Sequence, residues 1–155
     1  LGNRSKARAD LERSNQLLPT SVATNELGTL SLQESDQRSA KRYFAAVARS
    51  EGPLSEAATG NYIRLDIADN PSNYIQVQHA GRNGKLVATI TNTTRIPIQS
   101  AVVKFTAVIN GQRAERDLNT GMVQANSRIG ISSGWRFRSD DAVEGVTARV
   151  ISIQL

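Results

Sequence analysis

The chain has 155 residues, 39% of them apolar and 21% charged, a composition typical of one ordinary soluble domain or two small ones. It lacks cysteine, which excludes disulfides, cysteine nucleophiles and thiolate metal sites. No apolar run approaches the ~18 residues of a membrane-spanning helix, so no membrane insertion is expected.

The net charge of +5 is unevenly distributed along the chain. Residues 1–70 carry nine Lys or Arg and nine Asp or Glu, whereas residues 71–155 carry ten and five. The basic residues are mostly arginine and form no run, which favours a solvated surface. We therefore expect no nucleic-acid partner.

Apolar periodicity predicts four helices in the first half of the chain, at residues 3–18, 21–34, 37–49 and 54–67. Pro19 bars continuation of the first helix, and Ser21 is the expected N-cap of the second. Gly52-Pro53 ends the third. The first helix is expected to carry its apolar residues on or near one face, namely Ala7, Leu11, Leu17 and Leu18.

The second and third helices carry small and large residues at characteristic positions, namely Leu27-Gly28, Ala40, Phe44, Ala48 and Pro53. This spacing resembles a tetratricopeptide repeat, a helix-turn-helix unit of about 34 residues in which small residues sit at the closest helix crossings. Related residues recur 33–34 positions earlier, ending at Pro19. On this register the chain begins inside a repeat whose first helix is missing and the fourth helix caps the stack. We therefore expect the chain to be the C-terminal piece of a longer protein.

The pattern changes from helical to alternating after the turn-forming stretch at residues 68–73. The expected domains are therefore a tetratricopeptide-like helical domain at 1–69 and a β-sandwich at 70–155. Strands are predicted at residues 74–79, 85–92, 101–109, 112–118, 128–132, 135–138 and 146–155. Asn83-Gly84 and Asn110-Gly111 are hairpin turn signals, and a change of parity in the last strand indicates a bulge or a strand covered on both sides.

The segment 84–108 resembles the small immunoglobulin-like sandwiches of the FxLYD type. In that family a strand ending in Asn leads through a short polar turn and a Pro into the next strand, as Asn92, Pro97 and Val102-Val103 do here. The literal FxLYD motif does not occur in this sequence. The predicted fold class is α+β, with helical hairpins followed by an antiparallel immunoglobulin-like sandwich.

The sequence contains no recognisable catalytic constellation, so no catalytic, cofactor-binding or metal-binding residue is predicted. His79 is the only histidine and is interpreted as structural or superficial. The alternation of Trp135 and Phe137 with Arg136 and Arg138 could stack bases, but a strand with aromatics inward and arginines in water is the simpler interpretation. The acidic residues near Asp140 lack calcium-loop spacing and indicate a polar turn.

Tetratricopeptide stacks bind peptides along the first helix of each repeat. On residues 21–34 this implies a candidate partner-binding face of Asn25, Thr29 and Gln33, although a merely solvated polar face is an equal alternative. That helix has no Lys or Arg, which disfavours a clamp for a terminal carboxylate.

The order of the two domains, with LLPT at 17–20, ELG at 26–28 and YFAA at 43–46, resembles the C-terminal region of bacterial envelope zinc metallopeptidases. In these proteins an HExxH domain precedes tetratricopeptide repeats. The resemblance implies a non-catalytic, substrate-recruiting module in the periplasm or cell envelope, with a protein or peptide partner and zinc only in the parent protein. The alternative is a stand-alone envelope adaptor or assembly factor without peptidase activity.

Overall fold

The computed structural model describes residues 2–82 and 84–155 of the chain. Four helices precede two antiparallel three-stranded sheets, so the fold class is α+β. The chain divides into two compact units, of which the first ends at Asp66 and the second is Ile67–Leu155. This division lies three residues before the boundary predicted from the turn-forming stretch.

The four helices begin and end within one residue of the predicted positions. Their bounds are α1 Gly2–Leu17, α2 Ser21–Gln33, α3 Gln37–Ala48 and α4 Ser55–Asp66. The N-cap of α2 is Thr20 rather than the predicted Ser21, because Thr20 has extended backbone angles and its hydroxyl accepts a hydrogen bond from the Ala23 amide at 3.1 Å. A side-chain oxygen that satisfies an orphan amide is what defines an N-cap, and Ser21 already lies inside the helix.

The helical unit packs small residues against large ones, as the spacing predicts. A Cβ atom placed on Gly28 of α2 would lie 2.8 Å from Phe44 Cε1 of α3, so only glycine fits at this crossing. Phe44 is fully buried together with Ala40, Val47 and Ala58, which extends the core from α3 into α4. Helix α3 therefore packs against both of its neighbours.

Of the apolar face predicted for helix α1, Leu11 is half-buried and the other three residues are exposed. Leu17 and Leu18 are 78% and 70% exposed, and Ala7 is also exposed. The half-buried residues of α1 are instead mostly polar, namely Arg8, Leu11, Glu12 and Asn15. Their spacing places them on one helix face, so α1 meets α2 largely through hydrogen bonds rather than through leucines.

The described residues of the second unit form six strands, β1 Ile75–Arg82, β2 Lys85–Asn92, β3 Ser100–Ile109, β4 Gln112–Asn119, β5 Arg128–Arg136 and β6 Val143–Gln154. One sheet has the order β1-β2-β5 and the other β4-β3-β6, with every pairing antiparallel. A single 3-10 turn, Pro71–Asn73, precedes β1, so the first strand begins one residue later than predicted.

Three features of the strands differ from or refine the prediction. The two strands predicted at 128–132 and 135–138 are one strand, β5, which continues through a register shift with Gly134 at a φ of +76°. The last strand begins at Val143, three residues early. The predicted bulge is confirmed, because Val102 and Val103 of β3 pair with Ser152 and Val150 and leave Ile151 unpaired.

The predicted hairpin turn at Asn110-Gly111 is confirmed, with φ values of +52° and +77° that suit a tight two-residue turn. In the other predicted turn, Asn83 lies outside the described residues and Gly84 has a φ of +67°. The Asn110-Gly111 pair therefore predicts the β3–β4 turn correctly.

The buried faces of β2 and β3 form the core of the second unit, with the alternate residues Leu86, Ala88, Ile90, Val103 and Phe105 at most 2% exposed. Phe105 and Trp135, one from each sheet, contact edge to face with ring centroids 6.5 Å apart. The two sheets therefore meet through their apolar faces, an arrangement consistent with the predicted sandwich. An immunoglobulin-like topology stays a prediction.

A buried asparagine ties the connections of the second unit together. The Asn92 side chain donates to the carbonyl oxygens of Ile96 at 2.9 Å, Gln124 at 3.1 Å and Val123 at 3.3 Å. Its Oδ1 accepts from the amide and the hydroxyl of Thr94 at 2.9 and 2.8 Å. Asn92, which ends β2 and is part of the predicted family pattern, therefore has a structural role. Its side-chain hydrogen bonds join the connecting segments, and its polar atoms are all paired.

Candidate partner-binding surfaces

The three residues predicted to contact a partner lie on one face of α2, at positions four residues apart. Asn25 and Thr29 are half-buried and Gln33 is exposed. The Thr29 hydroxyl donates to the Asn25 carbonyl at 3.2 Å, which engages it within the helix. Asn25 Oδ1 is buried and accepts no hydrogen bond from the described residues. Gln33 is therefore the one member of this predicted face that is fully available to a partner.

A second surface in the helical unit is apolar and was not identified as a site from the sequence. Leu17, Leu18 and Val22 are 78%, 70% and 63% exposed, and they fall within six consecutive residues at the junction of α1 and α2. We call these three residues the apolar corner. The Leu-Leu-Pro sequence at the end of α1 is the signal that could have revealed it, because Pro19 turns the chain before these leucines can reach the core.

A groove of about 240 Å³ lies beside the apolar corner, between the start of α2 and the end of α3. The hydroxyls of Ser21 and Ser50 are 3.0 Å apart across it, joining the two helices. Its lining combines hydroxyl groups with small apolar side chains: Pro19, Thr20, Ser21, Thr24, Ala46, Val47 and Ser50. The corner and the groove together offer apolar contact with polar groups close by, which is the usual make-up of a protein-binding surface.

Hydrogen bonds and ion pairs fix the helices that form this surface. Arg8 of α1 donates to Glu34 at 2.5 Å and to Ser31 at 3.1 Å, and the pairing with Glu34 raises the pKa of the guanidinium. Asn15 Oδ1 accepts from the Thr24 hydroxyl at 3.0 Å and from the Thr20 amide at 3.3 Å. The α1–α2 junction is thereby held in place although the leucines beside it are exposed.

The remaining residues singled out in the sequence take structural positions. His79 is exposed on β1, opposite Ala88. Trp135 and Phe137 are half-buried while Arg136 and Arg138 are exposed, which matches the simpler interpretation of that segment. Asp141 accepts from the Arg138 amide at 2.7 Å and from Asn110 Nδ2 at 2.9 Å, and these bonds lower the pKa of its carboxyl group.

Within residues 2–82 and 84–155, no three His, Cys, Asp or Glu side chains converge in a way that could hold a metal ion. No helix in those ranges is long and apolar enough to cross a membrane.

Neither the family models nor the curated proteins include a match to this chain. A solved structure described as the E. coli curli protein CsgC is similar over 50% of this chain and 83% of that chain, with 14% identity and a TM-score of 0.28. A likeness this weak does not relate the two proteins. The tetratricopeptide, FxLYD-type and metallopeptidase resemblances therefore stay predictions.

Proposed function

We propose that the chain is a non-catalytic protein–protein interaction module whose helical unit binds a protein or peptide partner at the apolar corner. The observation that carries this proposal is the exposure of Leu17, Leu18 and Val22 beside a groove with polar lining. Burying one such side chain contributes roughly 1.5–3 kcal/mol, so three together offer a partner several kcal/mol. From the predicted face of Asn25, Thr29 and Gln33, the exposed Gln33 would extend the contact along α2.

The parent of this module, on our proposal, is a bacterial envelope protein, most simply a tetratricopeptide-containing zinc metallopeptidase that uses the module to recruit substrates. Support comes from the residue pattern around Gly28 and Phe44 and from their close packing, which is the arrangement that a tetratricopeptide hairpin needs. The alternative is a stand-alone envelope adaptor or assembly factor. An HExxH sequence upstream in the whole gene product favours the first, and further repeats alone favour the second.

Binding to a panel of fluorescent twelve-residue peptides tests the proposal. We expect the chain to select peptides with two or more large apolar residues. The triple variant Leu17→Ser, Leu18→Ser, Val22→Ser should bind these peptides more weakly by at least about tenfold, because the apolar area available to the peptide is lost. Met122→Ser is the matched control, since Met122 is 58% exposed but lies in the second unit.

Two results count against the proposal. One is that all peptides of the panel bind with the same affinity. The other is that the chain and the triple variant bind the peptides equally well. A peptidase assay with and without added zinc addresses the non-catalytic part, where we expect no turnover. Zinc-dependent cleavage by the chain itself contradicts that part alone.

A further inference from the structure

We infer that strand β5 and the adjoining outer sheet face bind an extended acidic polypeptide segment as an added strand. This site lies in the second unit and does not depend on the apolar corner. It offers a use for the excess positive charge of residues 71–155.

The sheet β1-β2-β5 is rich in cations and free of acids. Its three strands contain four basic residues and no Asp or Glu: Arg82, Lys85, Arg128 and Arg136. In the other sheet, by contrast, Lys104 contacts Glu115 at 3.5 Å and Arg113 contacts the same carboxylate at 2.5 Å. Among the described residues, Lys85, Arg128 and Arg136 have no such acidic partner.

The strand register brings two of these cations together at one end of the sheet. Lys85 of β2 pairs directly with Arg136 of β5. Like charges directly opposite each other destabilise a sheet, so an anion at this end of the sheet would relieve the repulsion. Arg128 pairs with Thr91 and lies at the opposite end of β5, and it is exposed, as are Lys85 and Arg136.

The outer edge of β5 has backbone groups free to pair with another strand. Among the described strands, β5 pairs with β2 alone. The backbone N–H of Asn92 donates to the backbone carbonyl of Ser127 at 2.8 Å. Antiparallel pairs alternate, so the backbone groups of residues 128, 130 and 132 point away from β2. All three residues are exposed.

The free edge of β5 ends near Ser133. The Arg116 guanidinium donates a hydrogen bond to the Ser133 carbonyl at 2.8 Å, which limits the free edge to about five residues.

A groove of about 180 Å³ lies where the free edge of β5 meets Lys85 and Arg136. It is lined by Lys85, Ser132, Gly134, Trp135 and Arg136. A carboxylate side chain of an added strand fits this groove chemically, because two cations and a serine hydroxyl line it. Trp135 is the single tryptophan of the chain and therefore reports occupancy by its own fluorescence.

A polypeptide fits this surface better than a nucleic acid does. An edge strand presents alternating N–H donors and C=O acceptors, which another backbone matches and a sugar-phosphate chain does not. The aromatic residues nearby, Trp135 and Phe137, are half-buried rather than displayed for base stacking. The acidic character of the peptide follows from the exposed cations Lys85, Arg128 and Arg136, since complementary charge guides and favours association.

The test uses a fluorescein-labelled peptide of about eight residues in which Thr and Glu alternate, measured by polarisation and by Trp135 quenching at low ionic strength. We expect saturable binding that weakens with added salt and no binding of the Thr-Lys counterpart. The double variant Lys85→Gln, Arg136→Gln should bind at least fivefold more weakly. Arg149→Gln, which removes an exposed arginine from the other sheet, should bind as the unmodified chain does.

Backbone pairing is tested with two N-methylated peptides, one methylated at the odd residues and one at the even residues. We expect one of them to bind at least tenfold more weakly, because methylation removes the donors that face β5. Circular dichroism confirms that each protein variant is folded before binding is measured.

Four outcomes overturn this inference: no binding up to about 1 mM peptide, unchanged binding by the double variant, unchanged binding of both methylated peptides, or equally tight binding of a single-stranded oligothymidylate. The last two indicate a general anion surface instead of strand addition. The triple variant of the apolar corner should bind the acidic peptide normally, so failure here and failure of the proposed function are distinguishable.

Discussion

At the scale of single residues, two positions determine how each unit packs. Gly28 allows α2 and α3 to approach until only the Phe44 ring separates them. Asn92 has all of its amide hydrogen-bonding capacity engaged while it is completely buried. Both positions are sensitive because a small change there leaves either a steric overlap or an unsatisfied buried polar group.

Replacing Asn92 by alanine should lower the free energy of unfolding of the second unit by about 2–4 kcal/mol. The substitution leaves the buried Thr94 amide without its acceptor, and the carbonyls of Ile96 and Gln124 keep only the hydroxyls of Thr94 and Ser127 as donors. Urea unfolding followed by Trp135 fluorescence measures the change. Gln76→Ala, on the exposed side of β1, should change the free energy of unfolding by no more than about 0.5 kcal/mol. An equally small change for Asn92→Ala contradicts the structural role of the Asn92 hydrogen bonds.

Replacing Gly28 by alanine should destabilise the helical unit by about 1–3 kcal/mol, although alanine is the better helix former. The added methyl group would overlap the Phe44 ring at 2.8 Å. Gly60→Ala is the matched control, because the nearest atom to its Cβ is an arginine nitrogen at 3.6 Å. That control should stabilise the protein by about 0.5–1 kcal/mol, and a Gly28→Ala variant that is also stabilised would refute the close packing.

At the scale of helices and strands, boundaries follow from short polar signals that the sequence shows directly. Helices α2 and α3 begin after Thr20 and Asp36, whose side chains accept hydrogen bonds from the Ala23 and Ser39 amides. The β3–β4 hairpin follows from Asn110-Gly111. These signals act within a few residues, so they need no knowledge of tertiary contacts.

What the sequence does not reveal is which neighbour an element meets. The leucines of α1 have helical periodicity, yet periodicity cannot tell whether another helix covers them, and Leu17 and Leu18 are exposed. Gly134 looks like a strand break, but β5 continues through it because a positive φ accommodates the register shift. Both errors concern long-range packing, which local patterns do not encode.

The Asp36 cap predicts a pH dependence for the helical unit. Its hydrogen bond from the Ser39 amide lowers the pKa of the carboxyl group below the usual value of 3.8. Stability from this group is therefore fully present above pH 3.8 and is lost as the pH falls through the lower, folded-state pKa.

Asp36→Asn keeps a capping oxygen but cannot be protonated in this range. The difference in urea midpoint between the unmodified chain and this variant, followed by helical circular dichroism at 222 nm, should therefore shrink or reverse in favour of the variant below about pH 4. Parallel profiles from pH 7 to pH 2 contradict an ionised cap at Asp36.

At the scale of the whole molecule, the two units offer different chemistry to their surroundings. The helical unit presents an apolar corner next to a groove, whereas the sheet β1-β2-β5 presents cations and a free strand edge. On our proposals, each surface binds another polypeptide. The proposed interaction module accounts for the exposed leucines, which a surface with no partner would leave in water at no gain.

Site-specific photo-crosslinking in cells of the source organism tests whether the helical unit binds a protein partner at the apolar corner. A photoreactive amino acid replaces Leu18 in the whole gene product, and Met122 is replaced in a parallel experiment. We expect a discrete protein adduct from position 18 that disappears when Leu17 and Val22 are changed to serine, and none from position 122. No adduct at position 18, or the same adducts from both positions, would contradict binding at the apolar corner.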